Sequence, residues 1–209
     1  MAVLSGKIKA ARPEPMLNSR IKKNFDAHVS EAMTLHEITM LAQSEAAGNG
    51  LSGRPMVARV QGGDFINHPG LAEEIFGPYS LIVECADKEE MLAVAKSFEG
   101  QLTASIMGNA ADLEEYKPVV AAMEEVVGRL IFNGVPTGVE VCHAMQHGGP
   151  YPASTDSRFT SVGTDAIRRF VRPVAFQDAP ESYLPDELKN KNPLSIWRKV
   201  NGSFTRDPI

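Results

Sequence analysis

A short segment, LAEEIFGPYSLIVE (residues 71–84), places two carboxylates and an aromatic ring in front of an apolar run. A carboxylate accepts two hydrogen bonds at once, so Glu73 or Glu74 can hold both hydroxyls of a ribose. Phe76 offers a flat apolar face to an aromatic ring, and Gly77-Pro78 restricts the backbone beside it. The residues alone leave two alternatives open for these carboxylates, a ligand site and a solvated surface.

A second group of reactive side chains lies in VEVCHAMQHGG, where Cys142 precedes His143 and His147. A thiol beside an imidazole is typical of a nucleophile and its base. Adjacent residues of an extended segment point to opposite faces, however, which argues against a Cys142–His143 pair. The two histidines are four residues apart but lack the glutamate of HExxH. We predict no metal site, and we keep a thiol hydrolase only as the third hypothesis.

Strands and helices must position these residues, and they alternate along the middle of the chain. The segments SLIVECA, LTASIMG and RLIFNG have strand patterns. DKEEMLAVAKSFEG has a helix pattern, with Asp87 as its cap and Gly100 as its stop. NAADLEEYKPVVAAMEEVVG has a second helix pattern, which Pro118 interrupts. This alternation predicts an α/β fold with a mostly parallel twisted sheet and helices on both faces. Cys85, inside the first of these strands, is predicted to pack in the core.

The flanking regions carry weaker patterns. Residues 18–43 predict one amphipathic helix capped by Asn18 or Ser19, and MVARVQ predicts a strand. The long irregular stretch from Val135 to Val162 is typical of a lid or binding loop. VRPVAFQ predicts a final strand in which Pro173 removes a ladder donor, so it lies at a sheet edge or forms an arm that pairs elsewhere. The tail from Asp178 predicts an ordered wrap with a short helix near PLSIWRKV.

The composition excludes several classes of protein. With 209 residues, 43% hydrophobic and 22% charged, the chain is typical of a folded globular protein. Its net charge of -5 argues against nucleic acid as a partner. Apolar runs such as Val119–Met123 are far shorter than the ~20 residues of a membrane span. We therefore expect no membrane association. The two cysteines give no disulfide framework, so we expect a cytoplasmic location.

Several segments together carry a family resemblance: EEIFGP, LTASIMG and RLIFNGVPTGVEVCHAMQHGGPYPASTDSRFTSVG. In this combination the chain resembles the C-terminal part of the aldehyde dehydrogenase superfamily. NGVPTGVEVCHAMQHGGP, AIRRFVRPVAFQ and LPDELKNKNPLSIWRKVNG are similar to the branch that acts on α-ketoglutaric semialdehyde (2,5-dioxovalerate). The resemblance runs over nearly the whole chain.

The resemblance implies a domain organisation. Members of the family combine an NAD(P)-binding Rossmann-like domain, an α/β catalytic domain and an arm that pairs strands between subunits. By this comparison, residues 1–170 are a catalytic domain truncated at its N-terminal side. Residues 171–177 are an oligomerisation strand, and residues 178–209 are a C-terminal tail. A homo-oligomer, or association with a complementary N-terminal half, is the implied assembly.

The resemblance also implies roles for single residues. The second glutamate of EEIFGP binds the nicotinamide ribose in the family and the phenylalanine contacts the nicotinamide ring, so these roles map onto Glu74 and Phe76. The loop after the FN strand shapes the aldehyde pocket, whose implied lining residues here are Pro136, Thr137, Val139, Val141 and His147. The implied cofactor is NAD or NADP, bound weakly or not at all by this chain alone.

The departures from the family pattern concern catalysis. The family's nucleophilic cysteine precedes EEIFGP, whereas Cys85 and Cys142 both follow it. Asn133 is not the family's oxyanion donor, and we expect it to satisfy backbone groups at a strand end. We therefore assign no catalytic residue and expect the chain to be inactive alone. It is then a fragment or one half of a split aldehyde dehydrogenase, or, alternatively, a non-catalytic assembly module.

The substrate class implied by the resemblance also raises the question of a cationic clamp. A semialdehyde that carries a carboxylate needs a positive side chain near the pocket. Arg158 is the candidate within the long loop, and a solvated surface arginine is the alternative.

Overall fold

The computed structural model describes residues 1–136, 138 and 140–209, so Thr137 and Val139 lie outside the described residues. Its helices are α1 Ala2–Ala10, α2 Ser19–Ala32, α3 Gly62–Asn67, α4 Lys88–Ser97, α5 Ala110–Glu115 and α6 Lys117–Val126. Its strands are β1 Glu14–Pro15, β2 Thr39–Gln43, β3 Ser52–Gly53, β4 Met56–Gln61, β5 Tyr79–Glu84, β6 Gln101–Ile106, β7 Val127–Phe132, β8 Arg198–Val200 and β9 Ser203–Thr205. Short 3-10 helices span Pro69–Ala72, Thr164–Phe170 and Glu181–Tyr183.

The strands form small ladders within an α/β arrangement, which confirms the predicted fold class. β4 is central in a three-stranded sheet, antiparallel to β2 and parallel to β5. β6 and β7 form a parallel pair, and two short antiparallel pairs join β1 to β3 and β8 to β9. The central position of β4 explains why Val57, Ala58 and Val60 are at most 1% exposed.

The first helix pattern ends earlier than predicted. Asn18 caps α2 as expected, since its Oδ1 accepts from Ile21 N at 3.0 Å. The helix stops at Ala32, and TMLAQ, predicted as its continuation, is instead strand β2. The prediction was wrong here because pairing with β4 satisfies the backbone of this segment, and tertiary pairing outweighs local helical periodicity.

The later helices follow their local signals more closely. Asp87 Oδ1 accepts from Glu90 N at 2.8 Å and so caps α4 as predicted. The second helix pattern breaks between α5 and α6 at Tyr116, just ahead of Lys117 and Pro118, also as predicted. Gly100, in contrast, is not the residue that stops α4, because the helix already ends at Ser97.

A hydrophobic cluster connects the parallel sheet with its helices. Val60, Phe65 and Val94 form its buried centre, and Leu81, Val83 and Cys85 are among the half-buried side chains around it. The rings of Phe65 and Phe98 lie 5.6 Å apart between centroids. The predicted packing role of Cys85 is therefore confirmed, and the same cluster anchors α3, from which the chain continues into the EEIFGP segment.

The chain divides into two compact units, Met1–Ala166 and Ile167–Ile209. In the second unit, residues 171–177 form no strand within the single chain. The oligomerisation strand and the domain boundaries stay predictions. The predicted helix near PLSIWRKV was wrong, since this region holds a turn and the β8–β9 hairpin.

One buried side-chain amide explains why the chain turns in the PLSIWRKV region. Asn192 is 4% exposed, and its Nδ2 donates to Ile196 O and Arg206 O at 3.0 and 2.7 Å. Its Oδ1 accepts from Ile196 N at 3.2 Å. This satisfied amide fixes a turn in place of a helix. Within the described part of the chain, no helix has the length and hydropathy to span a bilayer.

Candidate functional site

The EEIFGP segment lies beside a cleft of about 1070 Å³. Its lining includes residues of the 3-10 helix Pro69–Ala72 and of the start of β6, together with Pro152 and Ala153 of the long loop. Both carboxylates of the motif, Glu73 and Glu74, face this space. The structure therefore places them at a concave surface of the size that small-molecule sites occupy.

The two carboxylates are held there through the backbone that precedes them. Glu73 N donates to Gly70 O at 3.3 Å, which closes the 3-10 turn directly before Glu74. Among the described residues, the Glu74 carboxylate has neither a hydrogen-bond donor nor an ion-pair partner. Both of its oxygens can accept hydrogen bonds from a ligand.

The Gly-Pro turn is fixed by contacts with α2 and β4. Phe25 of α2 is 4% exposed, and a β-carbon at Gly77 would lie 2.8 Å from its Cε2 atom. Met56 N donates to Pro78 O at 2.9 Å, which starts the β4–β5 ladder. Only glycine leaves room for the Phe25 ring at this turn. Phe76 projects outward, 61% exposed, and does not line the cleft.

The cleft is acidic. Glu73, Glu74 and Glu99 contribute carboxylates to its lining, and none of its described lining residues is a lysine or arginine. Gln101 and Thr103 add neutral polar groups. Such a surface suits hydroxyl groups and a cationic ring, and it disfavours phosphates, which would meet three like charges without a counter-charge.

The described members of the predicted aldehyde pocket, Pro136, Val141 and His147, are not part of the cleft lining. Pro136 and Val141 are exposed on the long loop, and His147 is half-buried. The His147 backbone is tied down, because its N–H donates to Thr160 Oγ1 at 3.0 Å and its carbonyl accepts from Ser161 N at 2.9 Å. Pro136, Val141 and His147 do not line the cleft, and Thr137 and Val139 lie outside the described residues. The pocket assignment stays a prediction.

The backbone of the long loop lies in direct contact with the backbone of the parallel pair β6–β7. A β-carbon at Gly128 of β7 would lie 2.6 Å from the carbonyl carbon of Gly148. One at Gly100, directly before β6, would lie 2.5 Å from Tyr151 O, and Gly100 N donates to that oxygen at 3.2 Å. Glycine at these positions lets two backbones touch, which holds Pro152 at the edge of the cleft.

The Cys142 group gains no support from its contacts. The His143 ring bonds Thr164 through Nδ1 and Oγ1, 3.0 Å apart. In the described part of the chain, no hydrogen bond joins the Cys142 thiol to either imidazole. The described residues also hold no group of three histidine, cysteine or acidic side chains arranged for a metal ion.

Arg158 is already paired within the loop. Its Nε and Nη2 donate to the two carboxylate oxygens of Asp156 at 2.9 and 2.6 Å. This bidentate pair raises the pKa of the Arg158 guanidinium, and the group also lies 5.5 Å from the centroid of the Phe159 ring. These contacts favour a local structural role over that of a substrate clamp.

Two parts of the site were not found from the sequence. Glu99 and Gln101 follow α4 in an ordinary helix-to-strand connection, and no local pattern marks them as lining a cleft. His68 contacts Glu37, 31 residues earlier, with 3.2 Å between Nε2 and Oε1. A pair this distant in the chain has no sequence signal, because only the fold brings its members together.

Comparisons with known proteins agree on one superfamily. No family model matches the chain. The chain is 38% identical over 200 residues, 95% of its length, to an alpha-ketoglutaric semialdehyde dehydrogenase from Acinetobacter baylyi. It is 48% identical over 138 residues, 66% of its length, to alpha-ketoglutaric semialdehyde dehydrogenase 2 from Azospirillum brasilense. It spans only 38% and 26% of the lengths of these relatives.

A solved structure extends the comparison to the fold. Betaine aldehyde dehydrogenase from Staphylococcus aureus, determined in complex with NAD+, matches with a TM-score of 0.61 at 15% identity. The match covers 81% of this chain and 35% of that one. The chain is therefore similar in sequence to part of an alpha-ketoglutaric semialdehyde dehydrogenase, and in fold to part of an aldehyde dehydrogenase.

Proposed function

We propose that the chain forms one wall of the active site of an NAD(P)-dependent aldehyde dehydrogenase that oxidises α-ketoglutaric semialdehyde or a similar aldehyde to the acid. The observation that carries the proposal is the position of Glu74, an unpaired carboxylate of EEIFGP that lines the cleft. The names of the relatives from Acinetobacter baylyi and Azospirillum brasilense support the choice of substrate.

The lining of the cleft supports the binding of one end of the cofactor. The unpaired Glu74 oxygens suit the two ribose hydroxyls, and the Phe76 ring, which is exposed and lies outside the cleft lining, is the proposed contact of the nicotinamide. The carboxylates of Glu73 and Glu99 favour the positive charge of the oxidised nicotinamide ring. When bound, NAD or NADP supplies the hydride acceptor. The phosphates need residues other than those lining this cleft, so we propose weak binding by the chain alone.

We propose that the chain has no turnover of its own. Cys85 is half-buried against the hydrophobic cluster, and Cys142 has no imidazole partner among the described residues, so neither has the surroundings of an activated nucleophile. The test is NAD(P)H formation at 340 nm with 2,5-dioxovalerate and with simpler aldehydes. We expect no signal above the buffer rate, and clear turnover by the purified chain would refute this part of the proposal.

A complementary experiment supplies the part of the relative's length that this chain does not span. Co-expression with a segment covering the rest of the Acinetobacter baylyi relative should yield a complex with NAD(P)-dependent aldehyde oxidation. Omission of either piece should abolish it. A complex that forms but oxidises no aldehyde would contradict the proposed activity, whereas a complex active on simple aldehydes but not on 2,5-dioxovalerate would contradict only the substrate.

An assembly module is the second candidate, favoured by the surface of the unit Ile167–Ile209. No hydrophobic residue of this unit, all of which is described, is buried. Phe170, Tyr183, Trp197 and Phe204 are each at least 66% exposed. Such apolar surface, together with the unpaired segment 171–177, supports association with a second copy. Light scattering at micromolar concentration should show oligomers, and a strict monomer would argue against this function.

A further inference from the structure

A polar contact between distant parts of the chain lies next to the EEIFGP segment. Glu37, in the turn between α2 and β2, directs its Oε1 atom at two imidazoles. His68 Nε2 is 3.2 Å away and His36 Nε2 is 3.3 Å away. The Glu37 side chain is 15% exposed, and its Oε2 atom is buried with no hydrogen-bond partner. The carboxylate is therefore enclosed, and its polar contacts converge on one oxygen.

The two histidines differ in what they connect. His36 is the neighbour of Glu37 in the chain and is 93% exposed, so its contact links nothing distant. His68 ends α3 and starts the 3-10 helix Pro69–Ala72, with its N–H bonded to Asp64 O at 3.1 Å and its carbonyl accepting from Leu71 N at 2.9 Å. Fixing the His68 ring therefore fixes the start of the turn that ends at the two carboxylates.

We infer that the Glu37–His68 contact positions the segment Pro69–Glu74, and that protonation of the imidazole tightens this hold. The inference rests on the proposed function only for the role of Glu74, and His68 is a positioning residue that touches no ligand itself. The ionised carboxylate accepts from a protonated or a neutral ring, but an imidazolium adds the attraction between opposite charges. The segment is held most firmly under mildly acidic conditions.

The electrostatic surroundings of the carboxylate agree with this behaviour. Among the described residues, the ionisable groups that act on Glu37 are His36 from its own turn and His68 from the end of α3. Its own backbone N–H, followed by these imidazoles, holds the pKa of Glu37 below its ordinary value, against the opposing effect of burial. The carboxylate therefore stays ionised over the range in which a histidine changes its charge.

Amide hydrogen exchange by NMR tests the inference at two reporters. The Leu71 and Glu73 amides bond to His68 O and Gly70 O inside the positioned turn. After correction for intrinsic rates, His68→Gln and Glu37→Gln should raise their exchange about three- to fivefold at pH 6, the range of a partly exposed ion pair. At pH 8 the increase should be under about twofold, because histidine side chains carry less positive charge there than at pH 6.

His36→Gln is the matched control, since it removes an imidazole from the same oxygen without releasing the turn. It should leave the Leu71 and Glu73 amides within about twofold of the parent at both pH values. Equal effects of His36→Gln and His68→Gln, an unchanged exchange in His68→Gln, or an effect independent of pH would each overturn the inference.

Amides of β4 serve as the internal reference for global stability. If His68→Gln raises exchange at Val57 and Val60 as much as at Leu71, the contact supports the whole fold and the inference is overturned. Exchange needs no cofactor and no turnover. A failed aldehyde assay therefore leaves this result standing, and a negative exchange result leaves the proposed function untouched.

Discussion

Asn133 and Gly108 exchange two hydrogen bonds through the Asn133 side chain. Gly108 N donates to Asn133 Oδ1 and Asn133 Nδ2 donates to Gly108 O, both at 2.9 Å. The pair joins the carboxyl ends of the parallel strands β6 and β7, directly ahead of the long loop. Asn133 has a φ of 48°, a left-handed conformation that asparagine tolerates better than most residues. The expectation that Asn133 satisfies backbone groups at a strand end is thereby confirmed.

Replacing this asparagine should destabilise the first unit. Asn133→Ala removes both hydrogen bonds and places alanine at a positive φ, so we expect a loss of about 2 kcal/mol in the free energy of unfolding. Asn133→Gly loses the bonds but tolerates the backbone, and it should be about 1 kcal/mol less damaging. Urea denaturation of both variants checks the order. A glycine variant no more stable than the alanine variant would show that the backbone conformation contributes nothing.

The glycine crossing between β7 and the long loop gives a sharper prediction. Gly128→Ala would push a methyl group into the Gly148 backbone, with its β-carbon 2.6 Å from the Gly148 carbonyl carbon. We expect a loss of about 3 kcal/mol in the free energy of unfolding, or failure to fold. Gly50→Ala is the control, because a β-carbon there meets nothing within 4 Å. Thermal melts compare the two, and a Gly128→Ala protein with parental Tm would refute the close contact.

The proposed ribose contact predicts a difference between neighbouring glutamates. Nicotinamide riboside carries the cofactor's ring and ribose without its pyrophosphate, so it can probe the cleft of the chain alone. Glu74→Gln should weaken its binding by about tenfold, the effect of losing about 1.4 kcal/mol of charge-assisted hydrogen bonding. NMR chemical-shift titration measures both dissociation constants.

Glu73→Gln is the matched variant for that titration, since it removes the same charge from the adjacent position. It should weaken binding by less than about threefold, through the electrostatic field of the cleft alone. Equal losses for the two variants would mean that charge, and not a specific hydrogen bond of Glu74, governs binding.

Cys85 should react slowly with alkylating reagents. Burial, followed by the nearby carboxylates of Glu90 and Asp87, raises the pKa of its thiol, so little thiolate exists near pH 7. We expect iodoacetamide to modify Cys85 at least about tenfold more slowly than free cysteine at pH 7, with a rate that climbs as the pH rises toward 10. Mass spectrometry of time points measures this rate. A rate at pH 7 that equals that of free cysteine would contradict the environment described for Cys85.

Local signals explain which elements were predictable. Asn18, Asp87 and Pro118 act on backbone groups within a few residues, so their effects on α2, α4 and α6 could be read from the sequence. The segment TMLAQ carried no such marker and became strand β2 through pairing with β4. The PLSIWRKV region likewise became a hairpin, because the Asn192 amide forms hydrogen bonds with backbone groups up to 14 residues away.

The sequence by itself determined the α/β class, the helix caps and the place of EEIFGP before a strand, because these depend on short-range periodicity and on backbone chemistry. Only the tertiary structure decided that Glu73 and Glu74 share an acidic cleft with Glu99, that Arg158 is occupied by Asp156, and that His68 meets Glu37. Contacts between residues far apart in the chain depend on how the elements pack. No local propensity encodes that arrangement.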